Sequence, residues 1–111
     1  MSYEKLHVYQ CSIDFLGISN QILERLPAGH SVIRDQLNRA SVSIPLNIGE
    51  GAGKRTKPDC NRYFTSARGS AMECGAVIDV CKKLDIVDEQ TAKTGKDLLE
   101  RIVAMLTKMT R

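Results

Sequence analysis

The sequence of 111 residues contains no tryptophan, and aromatic residues make up only 5% of it. Any core must therefore be built from Leu, Ile, Val, Ala, Met and Cys, a palette suited to close helix packing rather than to a sheet. No segment of useful length alternates apolar and polar residues, which excludes half-buried strands. No apolar run reaches the roughly 18 residues of a membrane span, so no membrane partner is expected. Met1 to Gln10 is polar and holds Glu4, Lys5 and His7. It lacks the apolar heart of a secretory leader, and the expected location is cytoplasmic. The four cysteines are then expected as thiols, because disulfides are rare in that compartment. No two cysteines stand two residues apart, which argues against zinc. His7 and His30, the only histidines, lie far apart without an obvious partner. No catalytic residue, metal or cofactor is expected from them.

Apolar residues make up 42% of the chain, enough for one continuous core, and the length fits a single domain over residues 1–111. Leu6, Tyr9, Ile13, Leu16, Asn20 and Leu23 are spaced three and four apart, the mark of one helix face held toward a partner. Leu26-Pro27-Ala28-Gly29-His30 breaks that pattern. Ser31 is placed to cap a second helix, whose inner face is Ile33, Leu37, Ala40, Ile44, Asn47 and Gly51. Pro45 inside it removes a backbone bond to Ser41 and is expected to bend it. The glycines after Ile48 end this helix near Lys54. Thr56-Lys57-Pro58-Asp59 is a helix start, with Thr56 as the cap and Asp59 reaching back. The third helix presents Cys60, Phe64, Ala67, Ala71, Cys74, Ile78 and Cys81 and ends near Leu84. Asp88 caps a fourth, with Leu98, Ile102, Met105 and Met109 inward. Four helices with short joints make an all-α, antiparallel up-down-up-down four-helix bundle. Val8, Phe15, Ile22, Leu99, Val103 and Leu106 fall off these faces. So many large apolar groups are not expected to stay in water, and a homo-oligomer follows.

Gly49 to Lys54 is not a phosphate loop. Ile48 stands where that loop needs its first Gly, Arg55 stands where Ser or Thr holds magnesium, and a helix precedes it instead of a strand. Gln36, Arg39, Ser43, Asn47 and Glu50 run down one flank of the second helix. With Arg68 and Glu73 on the third, two opposite-charge pairs are expected among Arg39, Glu50, Arg68 and Glu73. Such a set is either a structural network fixing helix register or a binding or catalytic centre. Structure is favoured, because matched charges satisfy one another. Lys54, Arg55, Lys57 and Arg62 form a basic joint between helices two and three, and they are the candidate nucleic-acid-binding residues. Base stacking from Tyr63 and Phe64 is poorly supported, since Phe64 belongs to the core face.

Two strings carry a family resemblance. Arg39-Ala40-Ser41-Val42-Ser43-Ile44-Pro45-Leu46-Asn47-Ile48-Gly49-Glu50-Gly51 is one, and Tyr63-Phe64-Thr65-Ser66-Ala67-Arg68-Gly69-Ser70-Ala71-Met72-Glu73 is the other. In order and separation they resemble the bacterial four-helix-bundle proteins encoded within intervening sequences of large-subunit ribosomal RNA genes. Two departures are Gly49, where that family usually has Ala, and Asn38, where it often has a basic residue. The resemblance implies a non-enzymatic cytosolic protein assembled as a ring of five. Accessory proteins of retroelements, similar in fold, bind nucleic acid and a reverse transcriptase. The net charge is +3, from 16 basic and 13 acidic side chains. A ring of five at +3 each would carry +15, a field that favours polyanions. RNA or DNA is thus the expected partner. The alternative is a protein-interaction scaffold or accessory subunit, with nucleic acid incidental.

Overall fold

Helix boundaries fall where the chain supplies caps or breakers. The computed structural model describes residues 1–111. A 3-10 turn at Ser2–Lys5 leads into α1 (His7–Arg25), α2 (Ser31–Ala52), α3 (Lys57–Lys83) and α4 (Glu89–Met109), with no strand. The Thr56 hydroxyl accepts the Asp59 amide at 3.3 Å, and the Asp88 carboxylate accepts the Thr91 amide at 2.9 Å. These bonds satisfy donors that the first turn of a helix leaves orphaned. Bonding to Thr91 also holds the Asp88 carboxyl below its usual range. The cap of α2 is His30, without a side-chain bond, and Ser31 is already the first helical residue. Asp59 does not reach back to Thr56; its carboxylate meets Arg62 at 3.7 Å. After α3, Asp85 takes φ 58°, and the Ile86 amide bonds back to the Cys81 carbonyl at 3.0 Å. That left-handed residue turns the chain toward α4.

Each helix packs against two others: α1 and α3 both lie between α2 and α4. The contacts run in opposite senses along each pair. On α2 and α3, Arg39 meets Glu73, Ser43 meets Ser70, and Gly51 lies under Phe64. On α3 and α4, the Lys57 ammonium reaches the Met109 carbonyl, and Asp79 meets Lys96. The molecule measures 44 × 23 × 23 Å, and no helix is long and apolar enough to cross a membrane. α2 continues through Pro45, which is buried.

The inner face of α3 is the expected one, from Phe64 to Cys81, with Cys60 half-buried at its edge. On α2, Leu37, Ala40, Ile44 and Gly51 are buried as expected, together with Ile48. The face of α1 is different. Val8, Cys11, Ser12, Phe15, Ser19 and Ile22 are buried, whereas Ile13 and Asn20 of the expected stripe are exposed. Tyr9, Leu16 and Leu23 are half-buried. On α4 the buried set is Ala92, Gly95, Leu99, Ile102 and Leu106. The supposed surplus of Val8, Phe15, Ile22, Leu99 and Leu106 is therefore core, and Val103 is half-buried beside it. Assembly does not follow from those residues.

Two glycines set how closely the helices approach. A methyl group on Gly51 would lie 2.7 Å from the Phe64 ring and 3.1 Å from the Tyr63 Cβ. One on Gly95 would lie 3.1 Å from Ile78. Gly69, also helical, has open space around it. Gly51→Ala should therefore lose about 1 to 3 kcal/mol to overpacking, more than the roughly 1 kcal/mol that alanine adds to a helix. Gly69→Ala should gain that same propensity unopposed. Urea denaturation of both variants checks this pairing, and a Gly51→Ala protein as stable as Gly69→Ala would refute the close approach.

Candidate functional site

The expected polar network forms in part. Arg39 donates to Glu73 at 2.5 Å across α2 and α3, and to Gln36 at 2.6 Å. Below it, the Ser43 and Ser70 hydroxyls bond at 2.8 Å, and the Asn47 amide donates to the Ser43 carbonyl and hydroxyl at 2.9 Å. Glu50 and Arg68 do not pair. Arg68 turns to α4, where its Nε donates to the Thr107 hydroxyl at 2.7 Å. Glu50 lies one turn before Lys54 and meets its ammonium at 3.5 Å. The network is wet: the Arg39 side chain is 62% exposed. No cavity is lined by Arg39, Arg68 or Glu73.

The basic joint lies at one end of the bundle, where α2 ends and α3 begins. Lys54 is 5.1 Å from the Tyr63 ring centroid, and the Arg62 guanidinium is also 5.1 Å from it. Arg62 meets Asp59, and Lys57 donates to the Met109 carbonyl at 2.5 Å. Three of the four expected cations thus have partners, while Arg55 is exposed and makes no ion pair. The Cys60 thiol donates to the Lys54 carbonyl at 3.4 Å and ties the joint to α3. Two further cations escaped the sequence reading. Lys57 on Met109, and the Asn61 amide on the Thr110 carbonyl at 3.4 Å, bring the end of α4 to this joint. Lys108 and Arg111 come with it, both exposed. They are distant from Lys54 in sequence, and only the direction of α4 relative to α3 unites them.

His7 does have a neighbour. Its Nε2 lies 3.6 Å from the Cys11 Sγ and 2.9 Å from an Arg101 nitrogen. The four-residue spacing of His7 and Cys11 on one helix was legible in the sequence. Cys11 is 2% exposed, out of reach of a substrate, so the pair is not a nucleophile and its base. All four cysteines are free thiols. Burial, with the Glu73 charge adding to it, pushes Cys74 up to about 12 against the pull of Arg39. Such a thiol is inert at neutral pH. No group of three or more His, Cys, Asp or Glu side chains is placed to hold a metal.

The largest groove, about 580 Å³, adjoins the basic joint and is lined in part by Tyr3, Tyr9, Leu46, Gly49 and Lys54. Its two tyrosine rings meet edge to face, with centroids 4.9 Å apart.

Because the Arg39 and Glu73 pair is solvated, Arg39→Ala should cost less than about 1 kcal/mol, and high salt should shrink that cost. Arg68→Ala loses a cross-helix bond and should cost about 1 to 2 kcal/mol. Thermal melts of the two variants check this, and a loss of about 3 to 5 kcal/mol for Arg39→Ala would mean a dry pair instead.

The sequence model of the family described as 23S rRNA-intervening sequence protein covers residues 4–108. A search of curated proteins finds no match.

Proposed function

The chain belongs to the 23S rRNA-intervening sequence protein family, and from that premise we propose a non-enzymatic, cytoplasmic helical bundle that binds RNA or DNA through its basic end. The observation that carries this is the convergence of the α2–α3 joint with the last turn of α4. Lys54, Arg55, Lys57 and Arg62 there share one end with Lys108 and Arg111. Glu50 and Asp59 temper that charge without cancelling it. Phosphates compete well for lysine and arginine held only by exposed carboxylates, because such pairs contribute little by themselves.

Binding of this kind positions a nucleic acid without reading its bases. Assembly supports it by adding charge from each copy. Among the apolar groups that the single chain leaves exposed are Ile13 on α1, Val42 on α2, and Met72 and Val80 on α3. We assign these to contacts between copies, with five as the number the family resemblance implies. Light scattering should then give a mass several times 12.3 kDa, and a mass of one chain would defeat assembly. The scaffold reading keeps one observation of its own. Lys54, Lys57 and Arg62 already have partners within the chain, and the exposed apolar groups suit a protein partner equally.

Salt separates the two. Affinity for RNA should fall with salt at a slope of about −0.7 per phosphate contact on single strands and about −0.9 on duplex DNA. Lys54→Ala with Arg55→Ala should flatten the slope and leave sequence preference nearly unchanged. Fluorescence anisotropy over a salt series measures both. No retention of host RNA or DNA at about 50 mM salt, where phosphate contacts are strong, would transfer the function to the scaffold reading.

A further inference from the structure

The groove beside the basic joint has the composition of a base-stacking site. Tyr3 comes from the 3-10 turn and Tyr9 from the first turns of α1. They face Leu46, which is 64% exposed, and Gly49 on α2. Edge-to-face contact, with ring planes at 70°, covers one face of only one ring, so aromatic surface stays open. Both rings are half-buried and thus held in place while still in contact with solvent. Gly49 keeps the floor low: a Cβ there would touch nothing nearer than the Tyr3 ring at 4.0 Å. The groove's size, about 580 Å³, lies within the span of small-ligand sites.

Charge says what enters. Lys54 lines the groove and also belongs to the basic joint, and Glu50, one turn before it on the same helix face, lines the groove beside it with its carboxylate 3.5 Å from the Lys54 ammonium. Paired with each other, the two charges leave the groove wall close to neutral, which suits an uncharged body. Arg55, the next residue after Lys54, is exposed and makes no ion pair, so an anion attached to that body has a cation to meet beside the groove. A ligand with a flat, uncharged aromatic body and an anion attached to it fits both demands. Tyr63, the aromatic nearest the cations in sequence, does not offer this, because Lys54 and Arg62 lie against its ring.

We propose that this groove takes an unpaired nucleobase from a bulged or looped nucleic acid whose backbone phosphates lie on Lys54 and Arg55. This rests on the nucleic-acid reading above and narrows it from any polyanion to strands that can splay out a base. Stacking on aromatic side chains is sequence-tolerant, so the selection is for unpaired structure and not for sequence.

The probes are two RNA hairpins of equal length, one fully paired and one with a single bulged nucleotide, titrated against the full chain. The wild-type protein binds the bulged hairpin about tenfold more tightly, the size of one stacked base. Tyr3→Ala removes that preference and leaves the salt slope unchanged. Gly49→Leu does the same by filling the floor, at a position where the helix gains from the change. Lys54→Ala with Arg55→Ala weakens both hairpins together. Equal affinity of the wild type for the two hairpins, or a bulge preference that survives both Tyr3→Ala and Gly49→Leu, overturns the groove while leaving phosphate binding intact. Retention of neither hairpin at low salt overturns the groove and the nucleic-acid reading together.

Discussion

The contact on which the rest of the molecule depends is the packing of Phe64 onto Gly51. The Phe64 ring occupies the space any larger residue at position 51 would need. That forces the end of α2 and the start of α3 together, with only a few residues to turn between Ala52 and Lys57. Cys60 bonding to the Lys54 carbonyl, and Thr56 capping α3, fix the turn from either side. The same joint carries Arg55 into solvent and holds Gly53 and Lys54 on the wall of the tyrosine groove. Packing at one glycine thus positions the charge, the groove and the end of α4 that docks on Lys57.

Away from that end, polar groups fix how the helices lie rather than forming a centre. Arg39 with Glu73, Ser43 with Ser70, and Arg68 with Thr107 each join two helices at one level. Their partial exposure makes each contribution modest. Several such links along α3 disfavour sliding of α2 or α4 by a turn, since a slip would break all of them together. The apolar core resists the same slip, because Ala67 and Ala71 on α3 are fully buried places where only a small side chain fits.

The fold was legible where the chain marks its own punctuation. Thr56, Asp88 and the glycines after Ile48 gave boundaries within a residue or two, and the small residues of α3 allowed only one inner face. Ser31 misled by a single position, because His30 takes the cap without a side-chain bond. α1 misled more, for it carries two stripes at helical spacing. Leu6, Tyr9, Leu16 and Leu23 looked more apolar than the true face, where Cys11, Ser12 and Ser19 are interspersed among Val8, Phe15 and Ile22. Once packed, Ser12 satisfies itself on the Tyr9 carbonyl at 2.6 Å, so its polarity says little about exposure. The basic joint was legible as a run of charge. The cations of α4 and the groove around Tyr3 were not, because they bring together residues far apart in the sequence; the partners Glu50 and Asp59 lie within one turn of Lys54 and Arg62.

The proposed function makes one central claim: nucleic acid lies on the face formed by the 3-10 turn, the α2–α3 joint and the last turn of α4. Photo-crosslinking of the protein to its host's RNA, followed by mass spectrometry of the crosslinked peptides, tests it most directly. Crosslinks should concentrate in peptides holding Tyr3, Lys54 to Arg62, and Lys108 to Arg111. Crosslinks concentrated instead on the exposed side of α3 around Met72 and Val80, or at the opposite end around Lys82 and Lys83, would contradict it.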